Sequence, residues 1–252
     1  MISILKPSMY FLVVTLVLSC HQKSTTNTTN IDSTCIADVG RAKKDVSNGK
    51  IVITSSLSSK GGMLRYEKEL NELCVQYNLQ FDYENVSNMG KNGQTQGCYG
   101  SYMDKVIEAK FGAGFKSALL SKADSIYVAG AIYDTIPYWN CDKQPTLLNN
   151  DPADGDDMTA KINSLDIRND PAGEDVYKWP FMDIAFIISP NGKISNFEIS
   201  FFNPVLDWNK QFIDQLFAAG IATLKKNTTW LPCEIGGKKV WSKNSMRIRF
   251  EK

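Results

Sequence analysis

Histidine is the side chain that most readily moves protons at neutral pH, and this sequence has one, His21. It lies in a stretch rich in Thr, Asn and Ser, from His21 to Ser33, whose single aliphatic residue is Ile31. A lone histidine in a solvated segment leaves no Ser-His or Cys-His nucleophile pair and removes most zinc sites. No GxSxG elbow, phosphate-binding P-loop or dinucleotide fingerprint is present. Carboxylates remain, and two of them can meet from distant parts of a chain to hydrolyse a glycosidic bond. Glu67, Glu69 and Glu72, however, are expected on the exposed face of a helix, as solvated charge. Asp151, Asp154, Asp156 and Asp157 suggest calcium, yet counting along an EF-hand loop from Asp154 puts Leu165 where the bidentate carboxylate belongs. They too are expected as solvated loop charge. The chain is therefore expected to be no enzyme and to use no cofactor and no metal.

Of the six cysteines, Cys35, Cys74, Cys98, Cys141 and Cys233 follow Cys20 without any CxxC pair. Neither a zinc ribbon nor a thioredoxin-like site is suggested, and an odd number leaves at least one thiol unpaired. The spacing does not say which cysteines pair. Cys74 falls on the apolar face of a predicted helix and is expected as a small core residue.

The formal charge is +1. Lys6 contributes one of those positive charges, so the rest of the chain is close to neutral and offers no footprint for nucleic acid or anionic lipid. Residues 1–19 read as a signal peptide: Lys6 precedes the apolar run Met9 to Leu18, which falls short of the about 20 residues that span a bilayer. Residues 20–34 read as a polar tether, too poor in apolar side chains to fold.

From Cys35 to residue 145 the pattern predicts a small α/β unit. Lys50 to Ser56 is a β-branched strand, and Gly61-Gly62 ends it. Tyr66, Leu70, Leu73, Cys74 and Tyr77 recur at helical spacing. Leu79 to Tyr83 alternates as a second strand, and Asn85 to Gly100 is a loop. Two amphipathic helices follow, one through Tyr102, Met103, Val106 and Ile107, the next through Phe115, Leu119 and Leu120 to Ile126. Residues 146–175 are acidic, carry two Asp-Pro turns, and read as a long loop or linker.

Residues 176–252 are expected as β-β-α-β. Ile184, Phe186 and Ile188 share one face of a strand, and Pro190-Asn191-Gly192 makes the hairpin turn. Phe197, Ile199 and Phe201 share one face of the returning strand. Asp207 is the expected N-cap of a helix whose apolar stripe runs through Trp208, Phe212, Leu216, Ala219, Gly220 and Leu224. In the closing strand Met246, Ile248 and Phe250 face one way, and Arg247 and Arg249 the other. The fold class is thus α+β: a small α/β unit, then a three-stranded antiparallel sheet with one helix on one face. Trp208 and Trp230 are expected as core or clamp residues, and Tyr138, Trp139 and Trp179 as packing between the two units.

Two resemblances add to this reading. Val17-Leu18-Ser19-Cys20 resembles the bacterial lipobox. That resemblance implies lipidation of Cys20, cleavage before it, and anchoring to a membrane by acyl chains. Gln22, rather than Asp, favours the outer membrane. The C-terminal pattern resembles the C-terminal domain of TonB-type proteins through Pro190-Asn191-Gly192-Lys193-Ile194 between strands, the following helix, Trp230-x-Pro232, Gly237-Lys238-Lys239-Val240 and the closing strand. The chain lacks that family's proline-rich spacer; its nine prolines are not clustered. The resemblance implies that the last strand lies at a sheet edge and takes a partner peptide by strand addition. Met246, Arg247, Ile248, Arg249 and Phe250 would be the contact residues. The two arginines would either select acidic partners or keep the edge soluble. The partner is expected to be an envelope protein or peptide. A homodimer joined through the edge strand is one alternative, and a hydrolase or glycan-binding lipoprotein with a site between the units, tested at Asp82 and Glu84, is another.

Overall fold

A computed structural model describes residues 33–57, 63–86, 95–148, 157–174, 178–226 and 229–252. The signal peptide, Cys20, nearly all of the tether, Gly61-Gly62, and Asp151, Asp154 and Asp156 lie outside the described residues.

Val52 and Ile53 are neighbours on strand β1 (Val52–Leu57), so their side chains point to opposite faces. Val52 packs with Ala42, Tyr99 and Met103 of helices α1 (Ser33–Ser47) and α3 (Cys98–Phe111). Ile53 packs with Leu70, Leu73 and Cys74 of α2 (Glu67–Gln76) and with Leu119 and Ala123 of α4 (Phe115–Ala131). Strand β2 (Gln80–Asn85) returns beside β1 in parallel, as a helical crossover requires. The expected β-α-β-α-α order is present, with α1 added before it. Helix α1 is stapled to α3 by the Cys35–Cys98 disulfide, and the Arg41 guanidinium lies 4.2 Å from the Tyr99 ring centre. Cys74 is buried and unpaired, and burial pushes its thiol up to about 11.

The second sheet is larger than expected. Strands β6 (Phe181–Ile188), β7 (Ile194–Asn203) and β10 (Lys238–Glu251) lie in the order β10-β6-β7, with each neighbouring pair antiparallel. To β10 the chain adds β3 (Thr135–Pro137) and β5 (Asp157–Lys161), both parallel to it, and β9 (Cys233–Ile235), antiparallel. The sheet therefore has six strands rather than three. A further pair joins β4 (Thr146–Leu147) to β8 (Trp230–Leu231). The stretch expected as a linker thus contributes β4 and β5. Alternation is the physical reason for β5: Met158 and Ala160 enter the core between Asp157, Thr159 and Lys161.

One helix covers one face of this sheet. Leu216 and Leu224 of α5 (Ile213–Lys226) pack on Ile184, Phe186, Ile188, Ile248 and Phe250. Gly220 lets the helix come close, since a Cβ there would meet Ile184 Cδ1 at 2.5 Å. The expected N-cap is displaced. Asp207 opens a 3-10 turn that runs to Phe212 and pairs with Lys210, while Leu206 holds the cap position. That tighter turn shifts the phase of the stripe, leaving Trp208 42% exposed. Trp208 clamps instead: its Nε1–H donates to Asp166 O at 2.8 Å, and the Arg168 guanidinium lies 3.8 Å from its ring centre.

Asn209 completes that clamp from beneath. It is fully buried, accepts from the Arg168 N–H at 2.8 Å, and donates to Arg168 O at 2.7 Å and Pro204 O at 2.8 Å. Asn209→Ala orphans one amide and two carbonyls, each costing about 1–3 kcal/mol. Partial solvation of the carbonyls tempers the sum, so the expected loss is about 3 kcal/mol in urea denaturation. Faster proteolysis between Ile162 and Glu174 should accompany it.

The remaining aromatic expectations divide. Trp230 is buried edge-on to Phe186 at 5.3 Å, and Trp179 packs against the sheet core. Trp139 is 64% exposed, so it does not pack between the units. That junction is built by other residues. Val128 and Ala131 of α4 cluster with Ile136, Cys141, Cys233, Ile235 and Val240, and the Cys141–Cys233 disulfide closes the cluster.

Candidate binding surface

The five residues expected to receive a partner lie in the middle of the sheet. On one side of β10, Ser242 through Arg249 pair with Ile188 through Phe181; on the other, Arg247 through Glu251 pair with Asp157 through Lys161. Over Arg247–Arg249 both hydrogen-bonding edges are in use, and a partner strand has no place to add. Met246 is buried, and Ile248 and Phe250 are fully so. Arg247 grips Asp183 with two bonds, Nε at 2.7 Å and Nη2 at 3.0 Å, and lies 4.3 Å from the Phe181 ring centre. Arg249 pairs with Asp157. The two arginines therefore make cross-strand ion pairs that bind β6 and β5 to β10. Solubility of an edge is not their role here.

The free edge lies elsewhere. Among the described residues β7, ten residues long, pairs as a strand with β6 alone. Two irregularities shape it. Phe201 lies opposite Asp183 while Ile199 lies opposite Ile184, so Ser200 is an extra residue, and its hydroxyl donates to Asp183 O at 2.9 Å. Nearer the turn, Asn196 has a φ of +53° where β7 again carries one residue more than β6. The bulge at Ser200 reverses the expected facing of Phe201: Phe202 turns to the core, and Phe201 stands 51% exposed on the open face. No family model, curated protein or solved structure matches this chain.

Open to solvent beside that edge is the face of the sheet opposite α5. Trp241 is 46% exposed there, and Lys243 and Ser245 are exposed farther along the same strand. A cleft of about 610 Å³ lies between Trp241 and the hairpin turn, lined also by Pro190, Asn191, Lys193 and Ser195. Its shape depends on Gly192, whose φ is +78° and whose missing Cβ would lie 2.2 Å from Trp230 O. The turn therefore seats directly on the chain that enters β8. Lys193 is the charged residue of the lining, so the cleft favours carbonyl or carboxylate groups.

Beside the disulfide and its apolar cluster, Arg65 helps fix this surface relative to the N-terminal unit by orienting Asp142. Its Nε and Nη2 bond the Asp124 carboxylate at 2.7 and 3.0 Å, and its Nη1 reaches Asp142 at 2.6 Å and Asn140 O at 2.9 Å. Asp142 also accepts the Gly236 N–H at 2.8 Å. The Arg65 guanidinium, then that amide, hold the Asp142 carboxyl below the usual carboxylate range.

The carboxylates weighed for catalysis are placed differently from expectation. Glu67 and Glu69 are half-buried, and only Glu72 of the three is exposed. The Tyr83 hydroxyl donates to Glu67 at 2.8 Å and accepts the Leu64 N–H at 2.8 Å. Asp82 accepts the Tyr83 N–H, whereas Glu84 accepts the Gly100 N–H of α3. Among the described residues no group of three or more His, Cys, Asp or Glu is arranged to hold a metal ion.

Proposed function

We propose that this chain is an exported, lipid-anchored envelope protein that acts by engaging another protein rather than by catalysis. Strand addition at β7 is the mode of engagement. The observation that carries the reading is a ten-residue strand bonded on one side, beside a face that exposes Phe201 and Trp241. Backbone groups along such an edge give affinity, and neighbouring side chains give specificity. The two bulges blunt indiscriminate pairing. A partner strand therefore needs side-chain contacts as well, and Phe201 lies where they would form.

Export is supported by the Val17-Leu18-Ser19-Cys20 motif and by two disulfides, which persist in oxidising compartments. Among the described residues no helix is long and apolar enough to cross a membrane. The lipid on Cys20 is the proposed attachment, with the outer membrane as its site. The β6-β7-α5-β10 order supports the TonB-like reading of the C-terminal sheet, with the receiving strand moved from β10 to β7.

The test is photo-crosslinking in living cells from exposed Glu198 on β7, with exposed Glu72 on α2 as control. A discrete heterologous adduct at Glu198 alone is expected. Phe201→Ala should weaken it about tenfold, as loss of a buried phenyl contact of at least about 1.5 kcal/mol requires. A homodimer band would replace this reading with a structural one. No adduct at Glu198 would overturn strand addition at β7.

A further inference from the structure

The N-terminal unit has a cleft of its own, of about 400 Å³, at the carboxyl ends of the parallel strands β1 and β2. In open parallel sheets ligands bind beyond those strand ends. Thr54 lines the cleft from β1 and Glu84 from β2. From α3 come Gly100, Ser101, Asp104, Lys105 and Glu108, whose spacing places them along one side of the helix.

Thr54 is 8% exposed, and its hydroxyl makes no hydrogen bond to a described residue. The residue is largely enclosed while its hydroxyl lines the cleft unpartnered, so it is free to accept a hydrogen bond from a ligand there. Gly100 lets both oxygens seat against α3. A Cβ there would lie 2.3 Å from Thr54 Oγ1 and 2.4 Å from Glu84 Oε2, so the two oxygens sit near one another at the wall of the cleft.

The sign of the ligand follows from what is already paired. The N-terminus of α3 would attract an anion. Glu84 fills that role, with its Oε2 accepting the Gly100 N–H at 3.2 Å. Asp104 is neutralised by Lys116 at 2.6 Å. The second Glu84 oxygen and Glu108 have no cationic partner among the described residues, against one unpaired ammonium, Lys105. The cleft thus offers acceptors in excess of donors, and its carboxylates do not gather as a metal site.

We propose that this cleft binds a small ligand through an ammonium group held by Glu84 and Thr54. Its volume suits an amino sugar or a short polyamine. Calorimetry on the whole chain tests this with glucosamine and putrescine as amine probes, and glucose and inorganic phosphate as controls. Saturable binding of an amine, and of neither control, is expected; which amine binds distinguishes the two sources. Thr54→Val and Glu84→Gln should each weaken it about tenfold, the usual worth of a bond to a charged group. Thr54→Val keeps the side-chain shape and removes an unpartnered hydroxyl, so its Tm should be unchanged or raised. Lys105→Ala should bind at least as well as the parent. Failure of both amines at millimolar concentration, binding of phosphate, or undiminished binding by a folded Thr54→Val protein would each overturn the proposal.

Discussion

Replacing Cys141 and Cys233 together with alanine is expected to cost about 4 kcal/mol of stability. The two residues lie 92 apart in sequence, and closing a loop of about that length removes between about 4 and 5 kcal/mol of unfolded-state entropy, of which about 4 is the expected net loss. The disulfide also fills the junction cluster, where Cys233 is fully buried among Ile136, Ile235 and Val240. Removing the sulfurs therefore leaves a gap as well as freeing the chain. Urea denaturation of the double variant against the parent, under oxidising conditions, measures the difference. A loss below about 1 kcal/mol would mean that Arg65 and its carboxylates hold the junction unaided.

Ile248→Pro should prevent folding. Proline removes a ladder donor, leaving its buried acceptor unpaired at about 1–3 kcal/mol, and it deletes a fully buried isoleucine worth about another 2. On an edge strand the backbone part of that cost can vanish. On β10, bonded to β6 on one side and β5 on the other, it cannot. The expected results are loss of the cooperative unfolding transition and a collapse in soluble yield. A folded Ile248→Pro protein would place β10 at an edge after all and restore Met246 to Phe250 as the receiving strand.

The contrast between that expectation and the observed sheet shows what alternation alone can reveal. Met246, Ile248 and Phe250 announce their facing in the sequence, and it is as read. Which strands lie beside them is a long-range fact. The partner β5 has five residues, two of them small or flexible apolar ones, inside a stretch dominated by aspartate, glycine and proline. Its alternation was present but too short to stand out. Helix α1 hid for another reason. Cys35 and Ala42 are its buried residues, so it has no stripe of large side chains, and a disulfide does much of the holding. Phe201 misled because a bulge shifts facing by one residue, and nothing in an alternating strand marks where an extra residue will fall. The candidate sites were less legible still. The amine cleft depends on Gly100 being small where Thr54 and Glu84 converge, a coincidence of three distant positions. The β7 edge became visible only when β10 proved to be occupied.

The placement of β10 also governs when the molecule can become whole. Strands β3, β5, β6 and β9 all bond to a segment that emerges after every one of them. Contacts spanning so much chain are slow to form, because loop-closure entropy is spent before any of them is gained. Until the fourteen residues of β10 arrive, β5 and the β6-β7 hairpin have no central strand to close on. A ribosome that stops before β10 would release a product that keeps at most the β6-β7 hairpin of its larger sheet, sticky and open to proteases. Arrival of β10 thus acts as a proofreading step, separating copies that carry it from truncated ones before either reaches its place of work.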